Sequence, residues 1–95
     1  MASYIVFTKE KTTDQAELDT YGSLVGETFK GHPVKILTAY GQQEILEGTG
    51  PDGVVIVEFP DHEAALAWYN GPAYTKVREH RFKGGIYRAT LVAGT

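Results

Sequence analysis

The sequence predicts an α+β domain, a four-stranded antiparallel sheet with helices packed on one face. Three observations carry this. β-Branched and aromatic runs at Tyr4–Thr8, Val34–Tyr40, Val54–Phe59 and Ile86–Val92 read as strands. Apolar residues at helical spacing fill the stretches after Asp14 and after Asp61. The remaining joints, at Gly31-His32-Pro33, Gly48–Gly53 and Lys83-Gly84-Gly85, are dense in turn residues.

The first strand is followed by a polar loop, Lys9–Thr13. Asp14 then stands as a helix N-cap, with Glu17 completing a capping-box-like pair. Leu18, Tyr21, Val25 and Phe29 form one apolar stripe. Gly22 and Gly26 between them point to close packing of this helix on the sheet. Pro33 ends the helix, because proline disfavours helical backbone in the residue before it. Val34–Tyr40 is the second strand, and Gln43–Glu47 answers or continues it after Gly41. Val54–Phe59 is apolar at both parities, the pattern of a strand covered on two sides. Asp61 caps a helix that runs through Trp68 and Tyr69. Asn70-Gly71-Pro72 breaks it, and Pro72 suits the first position of another short helix. Ile86–Val92 closes the sheet.

The order of elements is strand, helix, strand, strand, helix, helix, strand. This is the ferredoxin-like β-α-β-β-α-β plan with its second helix broken in two. Residues 1–95 form one domain, with no room for a second. A chain this short buries only roughly 60–65% of its unfolded surface. It has no cysteine, so no disulfide staples it and no thiolate holds a metal. Helices can cover one sheet face, yet three strands carry apolar residues at both parities. A second copy meeting the open face across a two-fold axis is the expected cover, giving a homodimer.

Composition narrows the function classes. Hydrophobic residues make up 42% and charged residues 22%, as in ordinary globular domains. A net charge of −3 argues against general nucleic-acid binding, which needs a basic face. The short apolar start, without a basic leader, gives no targeting signal and cannot cross a bilayer, so the cytoplasm is the expected compartment.

Asp61–Tyr74 reads Asp-His-Glu-Ala-Ala-Leu-Ala-Trp-Tyr-Asn-Gly-Pro-Ala-Tyr and follows Glu58-Phe59-Pro60. This stretch resembles the signature of domain of unknown function family 1330, and the likeness extends over nearly the whole chain. The resemblance implies a dimeric α+β barrel, in which two ferredoxin-like sheets share a barrel. That group includes cofactor-free oxygenases, muconolactone isomerase-like enzymes and haem-degrading proteins, so it implies the fold and leaves the chemistry open. At Gly71 the family often has serine, so a hydroxyl cap is missing here.

No nucleophile elbow, P-loop or dinucleotide fingerprint occurs. Gly48-Thr49-Gly50 is a turn rather than a phosphate cradle. The three histidines, His32, His62 and His80, stand at no metal-ligand spacing. No metal and no cofactor is expected. His62 belongs to an exposed first turn, while His32 and His80 are candidates for touching a ligand.

The candidate site is aromatic. Trp68, Tyr69 and Tyr74 cluster where one helix hands over to the next and can line a cleft for a planar organic molecule. Arg78 follows Tyr74 by one turn and can share an anion with it. Glu58, His80 and Tyr40 are the candidate proton handlers. Arg78, Glu58 and His80 are thus the expected catalytic set, with Tyr40, Trp68, Tyr74 and His32 binding the ligand. This reading, a cofactor-free isomerase- or monooxygenase-like enzyme or a binder of a small aromatic or anionic metabolite, expects an enclosed space of roughly 300 Å³ or more. The competing reading is a non-enzymatic dimeric module whose aromatics build core and interface. It expects Arg78 and Glu58 to find protein partners.

Overall fold

In the first strand, buried and half-buried side chains alternate from Ser3 to Phe7, the mark of a strand with one covered face. A computed structural model describes residues 1–95. Its elements are β1 (Ser3–Thr12), α1 (Gln15–Leu24), a 3₁₀ segment (Val25–Phe29), β2 (Lys35–Ala39), β3 (Gly53–Phe59), α2 (His62–Tyr69), α3 (Pro72–Gly84) and β4 (Gly85–Ala93). All strands pair antiparallel in the order β2-β3-β1-β4. The expected ferredoxin-like α+β plan, with the second helix broken, is what the chain adopts. No helix is long and apolar enough to cross a membrane.

Register sorts the sheet into two faces. Ile5 aligns with Val57 and Leu91, and Phe7 with Val55 and Ala89. These point toward the helices, where Ile5, Phe7, Val57 and Phe59 are buried with Ala65, Trp68 and Tyr74. The alternate set, Tyr4, Val6, Val54, Ile56, Glu58 and Val92, points the other way, and no element of the chain covers it. The molecule measures 31 × 30 × 17 Å, the thickness of one sheet with one helical layer.

Several local expectations need correction. Lys9–Thr12 extends β1 rather than forming a loop, with a bulge between Lys9 and Lys11. Its backbone finds ladder partners in β4, so pairing overrides the polar composition. Gln43–Glu47 forms no strand. Lys83-Gly84-Gly85 is no turn: α3 runs through Gly84 and β4 begins at Gly85. The Gly84 carbonyl there accepts from the Thr13 and Asp14 amides.

Helix ends follow their cap chemistry. Asp14 accepts from the Ala16 and Glu17 amides, and Asp61 from the Ala64 amide. The Glu17 carboxylate does not close a capping box. It goes to His80 instead. Pro72 opens α3 after Gly71, which makes no side-chain cap bond. Gly22 and Gly26 do not mark close packing, since a Cβ on either would meet nothing within 4 Å. The Leu18, Tyr21, Val25 and Phe29 side chains face inward instead, and the glycines face outward.

Candidate functional site

Trp68 organises the space between helices and sheet. Its ring lies between Phe29 at 5.0 Å and Tyr74 at 4.0 Å, both stacked, with Phe7 edge-on at 6.3 Å. The indole N–H donates to Thr28 Oγ1 at 3.0 Å, and that hydroxyl donates to the Val25 carbonyl. The indole dipole is therefore satisfied inside the core.

On one side of Trp68 the packing leaves a cavity of about 110 Å³. The sheet contributes Phe7, Val55 and Val57, and the first helical arm contributes Tyr21, Val25 and Phe29. Ile36 and Tyr40, both about half exposed, stand at its mouth. Arg81 of α3 is the one charged residue in the lining.

Arg81 is the feature that ordinary packing does not explain. It is 3% exposed, and its Nε and Nη2 have no hydrogen-bond partner. The chain's ion pairs are Lys30–Glu27, His80–Glu17 and Arg88–Glu10, so no carboxylate serves Arg81. Its guanidinium lies 5.1 Å from the Phe7 ring, 5.0 Å from Phe82 and 5.1 Å from Tyr87. A buried charge stripped of its partner costs on the order of 3–5 kcal/mol. Ring contacts return about 0.5–2 kcal/mol each, and the Tyr74 hydroxyl is the polar neighbour of the guanidinium, which still leaves Nε and Nη2 without an acceptor.

Two phenol pairs flank this cation. The Tyr21 and Tyr74 hydroxyls are 2.8 Å apart, and those of Tyr40 and Tyr87 are 2.6 Å apart. Burial, and then the neighbouring Tyr74, hold Tyr21 well above the usual phenol range. Burial also raises Tyr74, against the lowering pull of Arg81, and raises Tyr87 together with its bond to Tyr40. Tyr21, Tyr74 and Tyr87 therefore stay protonated at ordinary pH and are weaker acids than a free phenol.

Tyr40 is the only non-glycine residue with positive φ, at 55°. Such a backbone costs about 1–3 kcal/mol and needs its surroundings to hold it. Its hydroxyl bond to Tyr87 is one restraint. Gly53 is another, since a Cβ there would come within 2.6 Å of the Tyr40 ring.

Of the expected site residues, Trp68 and Tyr40 line the cavity. Tyr74 is fully buried behind Trp68, and its hydroxyl is taken by Tyr21. Arg78 does not meet Tyr74. Its Nη1 donates to the Tyr69 carbonyl at 3.2 Å, and its guanidinium lies 4.7 Å over the Tyr69 ring. The carbonyls ending α2 draw the cation there. The seam of Trp68, Tyr69 and Tyr74 is thus closed by stacking, and the open space lies on the far side of Trp68. Glu58 points to the uncovered sheet face, because its neighbours Val57 and Phe59 take the helix side. His80 binds Glu17 at 2.6 Å and ties α1 to α3. The His32 backbone closes a turn with Phe29 and Val34, and its side chain is not in the cavity lining. His, Asp and Glu nowhere gather in a group of three that would hold a metal.

Arg81, Tyr21 and Tyr87 are cavity residues that the sequence reading passed over as site residues. The signal for Arg81 was present: it follows Tyr74 by seven residues, two helical turns along the same face.

Residues 2–95 match the family described as a domain of unknown function, DUF1330. The chain belongs to this family. No curated protein matches the sequence. Among solved structures, the chain is similar to RPA0582, a protein of unknown function from Rhodopseudomonas palustris, with TM-score 0.77 and 19% identity over 99% of this chain and 82% of that one. SnoaB, a cofactor-independent oxygenase from Streptomyces nogalater, superposes with TM-score 0.66 and 12% identity, over 99% of this chain and 93% of its own. A dimeric protein of unknown function with a ferredoxin-like fold from Bacteroides fragilis gives TM-score 0.61 and 10% identity, over 98% and 96%. At these identities the likeness is one of fold.

Proposed function

We propose that this DUF1330 chain works as a homodimer and binds a small aromatic anion in the cavity under Arg81, where it either holds the ligand or stabilises its charge during a cofactor-free reaction. The carrying observation is the buried guanidinium with two unpartnered nitrogens, Nε and Nη2, beside an apolar space. An oxyanion supplies the acceptors that the fold withholds, and the surrounding rings suit a planar body. No carboxylate or histidine lines the cavity, and burial keeps Tyr21 and Tyr87 protonated, so neither offers a base. The ligand therefore arrives already ionised, and the site acts on it by electrostatic stabilisation rather than proton abstraction. The enclosed volume is of the scale of the ~150 Å³ cavity that accepts one benzene ring, so it takes a single ring. The cofactor-independent oxygenase among the structural relatives is in keeping with a site that needs no cofactor.

Trp68, the only tryptophan, lines the cavity and reports on it. Benzoate is expected to change its fluorescence saturably, and benzyl alcohol, the neutral analogue, is expected to bind at least tenfold more weakly. A charge-assisted hydrogen bond is worth about 1.5–3 kcal/mol, so Arg81→Met should weaken benzoate about tenfold or more. The same variant should unfold at an unchanged or higher urea midpoint, because it removes an unpaired buried charge. Equal binding of acid and alcohol, or full benzoate affinity in Arg81→Met, would overturn the assignment.

A further inference from the structure

A second recess, of about 240 Å³, adjoins the first. The two share Tyr21, Val25, Tyr40 and Tyr87, so these residues form a wall between an inner and an outer compartment. The outer one adds Lys9, Gln15, Leu18 and Gly22. The Gln15 amide is engaged by Asp19. The Lys9 ammonium is not: it takes part in none of the chain's ion pairs and lies 5.5 Å from the centre of the Tyr40 ring. Arg81 stands at the other end of the same phenol pair, 5.1 Å from the Tyr87 ring. One dividing hydrogen bond, Tyr40 to Tyr87, thus has an unpaired cation at each end.

We infer that the two compartments are halves of one site, and that its ligand is an elongated aromatic dianion with one acidic group on Arg81 and the other on Lys9. This rests on the reading of Arg81 as an anion site. Three features carry it further. The inner cavity alone is smaller than the roughly 300 Å³ at which ligand sites usually begin, and the outer recess supplies the missing room. The dividing contact in this wall is one hydrogen bond between two phenol hydroxyls, which a ligand can replace with bonds to its own oxygens. Tyr40 is also about half exposed at the cavity mouth, so its ring has solvent to turn into.

Titration of Trp68 fluorescence with three rigid probes tests this: benzoate, cinnamate and the dicarboxylate 4-carboxycinnamate. The dicarboxylate is expected to bind at least tenfold more tightly than either mono-acid. Lys9→Gln should bring it down to the mono-acid level. Lys9 is half-exposed on β1, and circular dichroism verifies that the variant is folded. In stopped flow, Tyr40→Phe should admit the dicarboxylate severalfold faster, since the dividing bond is gone. A dicarboxylate no tighter than benzoate, or an advantage that survives Lys9→Gln, overturns the two-compartment site and leaves the Arg81 reading standing. Failure of all three acids to bind overturns both.

Discussion

Tyr21 and Tyr74 share their hydroxyl bond beneath the helices, and Tyr87 shares one with Tyr40 at the cavity rim. Burial raises the pKa of Tyr21, Tyr74 and Tyr87 above the ordinary phenol value of about 10. The sign of the stability effect follows. Above pH ~10 the unfolded chain loses these protons and the folded chain keeps them, so the folded state binds more protons. Their contribution is complete below pH ~10 and is lost as pH rises further, at up to about 1.4 kcal/mol per pH unit for each group. Tyrosinate absorbance near 295 nm should therefore rise partly in step with the loss of circular dichroism. Six tyrosines ionising in one step, with native dichroism retained, would show that the buried phenols are open to water. Arg81 belongs to the same scale and was harder to see in the sequence. Its spacing to Tyr74 places it on the core face, but only the pairing of β1 with β4 brings Phe7 and Tyr87 around it. A side chain's lack of a partner is a property of the whole packing, so it has no local signature.

Among the elements, α1 shows what local sequence decides and what it does not. Asp14 as cap and the stripe from Leu18 to Phe29 were legible, because cap chemistry and helical period are set within one or two turns. The tightening to 3₁₀ geometry after Leu24 was not foreseen, although Gly22 and Gly26 lie at that point and favour helix poorly. With open space around Gly22, Gly22→Ala should stabilise the fold by about 0.5–1 kcal/mol. Urea unfolding measures this, and a lower midpoint would mean that α1 packs more closely there than the open space implies. The broken second helix was legible from Asn70-Gly71-Pro72, and β3 from its apolar run. The end of β1 was not, since Lys9–Thr12 is strand only through the partners it finds in β4. The same long-range pairing decides on which side of Trp68 the open space lies. Trp68 and Tyr40 come to line that space, while Arg78 goes to a helix end that its own sequence spacing does not reveal.

At the scale of the molecule, a sheet with helices on one face leaves its other face to water. Its middle carries Val6, Val54 and Ile56, neighbours across β1 and β3. Polar residues bound them: Lys35 and Glu58 toward one end, Glu10 and Arg88 toward the other. An apolar centre with a charged rim is the composition of a self-association surface rather than of a solvated sheet. A two-fold axis through it would set Val6 and Ile56 against their own copies, doubling each apolar contact. Ile56 is then the sensitive position, because a change there enters the interface twice and leaves the helix-side core alone. Light scattering at micromolar concentration should give twice the mass of one chain. Ile56→Lys should give one, with two ammonium groups brought together in a place that no longer holds water. The Arg81 cavity lies on the opposite side of the sheet, with its mouth at Ile36 and Tyr40. Benzoate binding should therefore survive in the Ile56→Lys monomer. A monomeric wild-type chain would remove the dimer and leave the cavity argument untouched, whereas loss of binding in the monomer would mean that the partner shapes the site.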